Sequence, residues 1–66
     1  MRLTINGEAR EVPDNLTLEA LIHQLELVPE RLAIERNREV VRRADWPETP
    51  LAEDDRIEII HFVGGG

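Results

Sequence analysis

Arg56-Ile57-Glu58-Ile59-Ile60-His61-Phe62-Val63-Gly64-Gly65-Gly66 closes the chain, and its reading decides the fold. From Arg56 to Phe62 the residues alternate, placing Ile57, Ile59 and His61 on one face of a strand and Glu58, Ile60 and Phe62 on the other. The first face suits a core. The second puts two large apolar side chains on the solvent side, which reads as a contact surface when they cluster; packing against Val40, Val41 or the Trp46 loop is the other reading. Glycine has no Cβ and is the costliest residue to order, so Gly64 to Gly66 are read as a thin thread and not as a stabilising element. With Gly66 as last residue, that thread is expected to end in an uncrowded α-carboxylate, ionised at neutral pH.

Working outward, the strand needs partners. Arg2-Leu3-Thr4-Ile5 alternates polar and apolar, and Asn6-Gly7 is the pair that tolerates positive φ at both centres of a type I′ turn. The return strand runs from Glu8 to Val12 and stops at Pro13-Asp14-Asn15. Thr17 is positioned to N-cap a helix, with Glu19 suitably acidic in its first turn. Leu18, Leu21, Ile22 and Leu25 form one apolar helix face. Pro29 disfavours a helical Val28, so the helix is expected to end near Leu27.

Leu32-Ala33-Ile34-Glu35 reads as a third strand, Asn37-Arg38 as a tight turn and Glu39-Val40-Val41 as a fourth strand. Arg43 to Pro50 is read as irregular because of Trp46-Pro47 and Pro50, with Trp46 as a lid over a thin core. Glu53-Asp54-Asp55 reads as a solvated turn. The expected fold is α+β, a mixed sheet of about five strands with one helix across one face. Its core is Leu3, Ile5, Val12, Leu18, Leu21, Ile22, Leu25, Ile34, Leu51, Ile57 and Ile59. Residues 1–63 make the domain and 64–66 the tail.

Composition limits the function. A chain of 66 residues buries roughly 60% of its unfolded surface, leaving no room for a deep pocket. The chain is 41% hydrophobic and 33% charged, so it is expected to fold. It contains no Cys, Ser, Lys or Tyr, the side chains that supply most enzyme nucleophiles, and is expected not to be an enzyme. Net charge is −6, and the 8 basic residues, all Arg, are scattered; nucleic acid is an unsuitable partner. No apolar run approaches the roughly 20 residues of a membrane span, and no secretory leader pattern opens the chain. A soluble, cytoplasmic protein is expected. His23 and His61 lack further ligands at metal spacing, so no metal and no cofactor is expected to bind this chain.

Asn6-Gly7-Glu8, the helix start Thr17-Leu18, the turn Glu35-Arg36-Asn37 and the segment from Asp55 to Gly66 together resemble the sulfur carrier proteins of thiamin thiazole biosynthesis, across the whole chain. The resemblance implies the β-grasp fold of ubiquitin. It also implies that Gly66 is modified, first to an acyl-adenylate by an adenylyltransferase of the ubiquitin-activating type using ATP and Mg, then to a thiocarboxylate by a sulfur donor protein. Thiazole synthase would receive the sulfur. Gly64 and Gly65 would thread into the partner's site, the three residues Gly64 to Gly66 reaching about 10 Å at roughly 3.3–3.6 Å per residue. Ile60, Phe62 and Val63 would bind the partner. The alternatives are a carrier of the same fold for molybdopterin or tRNA thiolation, and a non-catalytic protein-binding β-grasp module. With no lysine to accept an isopeptide, a carrier fits better than a self-polymerising tag.

Overall fold

The computed structural model of the chain describes residues 1–62. The order of elements is β1 (Arg2–Ile5), β2 (Glu8–Glu11), α1 (Leu18–Gln24), a 3-10 turn (Pro29–Arg31), β3 (Leu32–Arg36), β4 (Glu39–Val41), a 3-10 helix (Arg43–Glu48) and β5 (Arg56–His61). One five-stranded sheet has the order β2-β1-β5-β3-β4. β5 lies at its centre, parallel to β1 and antiparallel to β3. The last of the described strands is therefore the one that joins the amino-terminal hairpin to the β3–β4 hairpin.

Both hairpins turn as their sequences require. Asn6 and Gly7 have φ of 50° and 84°, and Asn37 and Arg38 have 52° and 72°, the paired left-handed conformations whose twist matches the strands. The Gly7 position has open space for a Cβ, so it is the backbone angle that favours glycine there. Beyond β2, Val12 N–H still donates to the Met1 carbonyl at 2.9 Å. The return strand thus ends one residue earlier than expected with its pairing carried on.

α1 begins as read, with Thr17 Oγ1 accepting from Ala20 N–H at 3.1 Å. It stops at Gln24, three residues before Leu27. Glu26 takes φ 58°, and Glu26 and Leu27 N–H donate back to the carbonyls of His23 and Ile22 at 3.0 and 3.2 Å. This is a Schellman closure made without the usual glycine, so nothing in the local composition announces it. The early stop swings Leu25 to the helix margin, where it is half-buried.

The core holds Leu3, Ile5, Leu18, Leu21, Ile22, Leu32, Ile34, Trp46, Leu51, Ile57 and Ile59, with Val12 and Leu25 packed partly buried against it. Leu32 is an addition to the expected set, being the inward partner of His61 in the β3–β5 register. Arg43 to Glu48 is not irregular but a 3-10 helix containing Pro47. Trp46, the expected lid, is itself core at 2% exposure, and its Nε1–H donates to the Val41 carbonyl at 2.9 Å. The following segment is stitched to the helix start: Leu18 N–H donates to Thr49 O at 2.8 Å and Leu51 N–H to Leu16 O at 2.9 Å.

Candidate functional site

β5 carries the chain towards Gly66, so its anchoring sets where the terminal segment departs. On one side the ladder to β3 runs from Arg36↔Ile57 to Leu32↔His61, and Phe62 N–H extends it by donating to Arg31 O at 2.8 Å. On the other side β1 pairs through Thr4↔Arg56 and Ile5↔Ile57 before turning away. There the Asn6 side chain takes over. Its Oδ1 accepts from Ile59 N–H at 2.7 Å and its Nδ2 donates to Ile59 O at 3.3 Å, so one amide acts as an extra rung of β1. The Asn-Gly signal revealed the turn but not this role, which depends on a contact 53 residues away in sequence.

The start of β5 is pinned by Asp55, and here the reading of a solvated turn is corrected: Asp55 is 6% exposed. Arg36 Nε and Ala52 N–H donate to its Oδ2 at 2.8 Å each, and Asn37 Nδ2 donates to its Oδ1 at 3.0 Å. Asn37 Oδ1 in turn accepts from Arg56 N–H at 2.9 Å. Burial works to raise the Asp55 pKa. Hydrogen bonds from Asn37, Arg36 and Ala52, with the Arg36 charge, outweigh it and hold the carboxyl below its ordinary value. Ala52 is a local partner, but Arg36 and Asn37 come from the end of β3 and the β3–β4 turn, which no local pattern around Asp55 could disclose.

Ile60 and Phe62 stand on the sheet face opposite α1, 49% and 58% exposed. Neither is absorbed by the Trp46 segment. Ala33 lies across from Ile60, and Val40, 72% exposed, lies across from Glu35 on the far side. The two expected docking residues therefore share the outer face with Ala33 and Val40, with Glu35 and Glu58 lying between Val40 and Ile60. His61, expected to pack at the strand end, is exposed; together with Arg10 it borders a shallow, open concavity floored by Ile5, Leu25, Leu27 and Ile59. Val63, Gly64, Gly65 and Gly66 lie outside the described residues. Among the described residues no group of three or more His, Asp or Glu is placed to hold a metal, and no helix is long and apolar enough to cross a membrane.

The model of the ThiS family matches residues 3–66. The chain belongs to the ThiS family. It is 35% identical to the sulfur carrier protein ThiS of Bacillus subtilis, over 97% of this chain and 98% of that one. The crystal structure of a thiamine biosynthesis protein (ThiS) from Geobacter metallireducens superposes with a TM-score of 0.88 at 32% identity, covering all of both chains. The fold is thus the ubiquitin-like β-grasp of this family. The chain is also 44% identical, over its full length, to part of a thiazole synthase of Magnetococcus marinus, and 38% to part of one from Paramagnetospirillum magneticum. It spans 20% of the length of each of these two relatives.

Proposed function

We propose that this ThiS-family chain is a sulfur carrier of thiamin biosynthesis, acting as a protein cosubstrate and not as an enzyme. The observation that carries the reading is the match through Gly66 to a family whose Bacillus subtilis member is a sulfur carrier along nearly its whole length. Chemistry supports it. A carboxylate is a poor acyl donor, since it would have to expel an oxide. Attack of a Gly66 carboxylate oxygen on the α-phosphate of ATP, with loss of pyrophosphate, gives a mixed anhydride; hydrosulfide released from the sulfur donor then attacks the acyl carbon, expels AMP and leaves a thiocarboxylate. These steps need Mg to neutralise phosphate charge and a closed site that keeps water from the anhydride. They belong to an adenylyltransferase of the ubiquitin-activating type, which binds ATP and Mg in the cytoplasm.

In this reading Gly64 and Gly65 enter the adenylyltransferase while Ile60, Phe62 and Val63 dock the body outside. A sulfur donor protein supplies the sulfur and thiazole synthase consumes it. Occurrence of a similar stretch within two thiazole synthase chains supports that last partner. The reading is tested by ATP–pyrophosphate exchange. With its adenylyltransferase, the wild-type chain is expected to drive exchange and a chain lacking Gly66 to drive none. Equal exchange by both contradicts it.

A further inference from the structure

The end of β5 is held at two points, one on each flank. Backbone alternation turns Arg56 and Phe62 towards β3, where Asn37 N–H donates to Arg56 O and Phe62 N–H donates to Arg31 O, both at 2.8 Å. The same alternation turns Ile57 and Ile59 towards β1. Ile57 O accepts from Asn6 N–H at 2.9 Å, but β1 pairs with β5 no further than Ile5↔Ile57, and the chain then reverses through Asn6-Gly7. Ile59 is reached on that flank by the Asn6 side chain, whose Oδ1 accepts from Ile59 N–H at 2.7 Å and whose Nδ2 donates to Ile59 O at 3.3 Å. The next residue on the flank, His61, borders an open concavity together with Asn6 and Ile59. Among the described residues Asn6 is therefore the last hold on β5 on the β1 side.

The turn does not require this side chain. A type I′ turn accepts Asn, Asp or Gly at its first centre, and the φ of 50° at Asn6 is one that glycine adopts at least cost. Of these three residues only asparagine can both accept from Ile59 N–H and donate to Ile59 O. Without that rung, Ile59 to Phe62 would be fixed along the β3 flank alone, beside a concavity that is open to solvent. A strand held along one edge can tilt, and each orientation its end gains must be given up again when a partner binds it. We propose that Asn6 is a positioning residue for the reaction at Gly66. By gripping Ile59 from the flank that β1 leaves, it fixes the line along which β5 delivers the terminus to the adenylating partner. This rests on the carrier reading, in which Gly66 is the group that reacts.

The test compares wild type, Asn6→Gly and Asn6→Asp as substrates of the adenylyltransferase, reading ATP–pyrophosphate exchange against chain concentration, and adds hydrogen–deuterium exchange at the Ile59 amide and thermal unfolding. Glycine keeps the turn and removes the rung. Aspartate keeps the turn and the acceptor for Ile59 N–H, but sets a carboxylate against Ile59 O. Adenylation is read well below the unfolding midpoint, where each variant is folded, so a merely structural rung would leave KM unchanged. Asn6→Gly is expected to lose its Ile59 deuterium protection roughly tenfold and to raise the KM for the chain roughly tenfold, with kcat nearly unchanged. Asn6→Asp is expected to regain most of the protection and to bring KM part of the way back. A wild-type KM in Asn6→Gly overturns the proposal, as does a loss carried by kcat alone. Were Asn6→Gly not to fold, Asn6→Asp decides: a KM equal to that of wild type overturns the proposal, and a raised one supports it. A wild-type chain that drives no pyrophosphate exchange contradicts the carrier reading and this proposal with it; wild-type activity that both variants match overturns this proposal alone.

Discussion

Asp55 shows how much of a small domain can depend on one side chain. Its carboxylate accepts three hydrogen bonds, from Arg36, Asn37 and Ala52, tying the β3–β4 turn to the start of β5. Asp55→Asn replaces one acceptor by a donor facing donors, and is expected to cost about 1–3 kcal/mol in urea unfolding. The folded-state pKa lies below the ordinary value of 3.8, so the stabilisation is present above that value and is lost as pH falls from it through the lower folded pKa. Wild type should therefore lose stability below pH 3.8 through this group, and Asp55→Asn should show a shallower loss over the same window. Glu26 offers the converse case. With φ at 58° it occupies a left-handed conformation that costs a residue with a Cβ about 1–2 kcal/mol, partly offset by the greater freedom glycine has when unfolded. Glu26→Gly is expected to raise the thermal midpoint; a fall would show that the Glu26 side chain contributes more than its backbone costs.

Where an element is specified by its own residues, the sequence discloses it. Asn6-Gly7 and Asn37-Arg38 turn where read, Thr17 caps α1, and the alternation of β5 puts Ile57 and Ile59 inside and Ile60 outside, because turn geometry, capping and strand pleat act over a few residues. Elements specified from afar stay hidden. The 3-10 helix of Arg43–Glu48 is held by Trp46 sinking into the core and bonding Val41 O, while Pro47 within it and Pro50 just beyond argue locally for irregular chain. The early end of α1 depends on a left-handed glutamate, and the Asn6 rung beside Ile59 needs β5 in place first. The face bearing Ile60 and Phe62 was legible from period alone, whereas Glu35 opposite Glu58 required the register. Two substitutions test these accounts. Thr17→Ala should cost about 1 kcal/mol by removing the cap. Trp46→Phe, which keeps an aromatic ring but leaves Val41 O without its donor, should cost about 1–3 kcal/mol; a cost near zero would mean that water replaces the indole N–H and that the bond does not hold β4 to the 3-10 helix.

At the scale of the whole fold, the described elements are arranged around β5, with β1 and β3 as its direct neighbours in the sheet. The hairpin supplies a parallel neighbour, β3 an antiparallel one, α1 covers the inner face, and the outer face mixes exposed Ile60, Phe62 and Val40 with charged side chains. A domain of 66 residues has roughly 3–10 kcal/mol of stability at 0.05–0.15 kcal/mol per residue, so exposed Ile60, Phe62 and Val40 are retained at the expense of solubility and point to use by a partner. Phe62→Ala is accordingly expected to weaken binding to the adenylyltransferase by roughly tenfold or more while leaving thermal unfolding nearly unchanged; unaltered affinity would remove Phe62 from the docking surface. The central claim is that Gly66 is where sulfur is installed, and mass spectrometry tests it most directly. Incubated with the adenylyltransferase, ATP, Mg and a sulfur donor, the chain should become heavier by the difference between one sulfur and one oxygen, with fragmentation locating the change at Gly66. An unchanged mass while the adenylyltransferase consumes ATP in the presence of the chain, or a mass change placed elsewhere, would contradict the account.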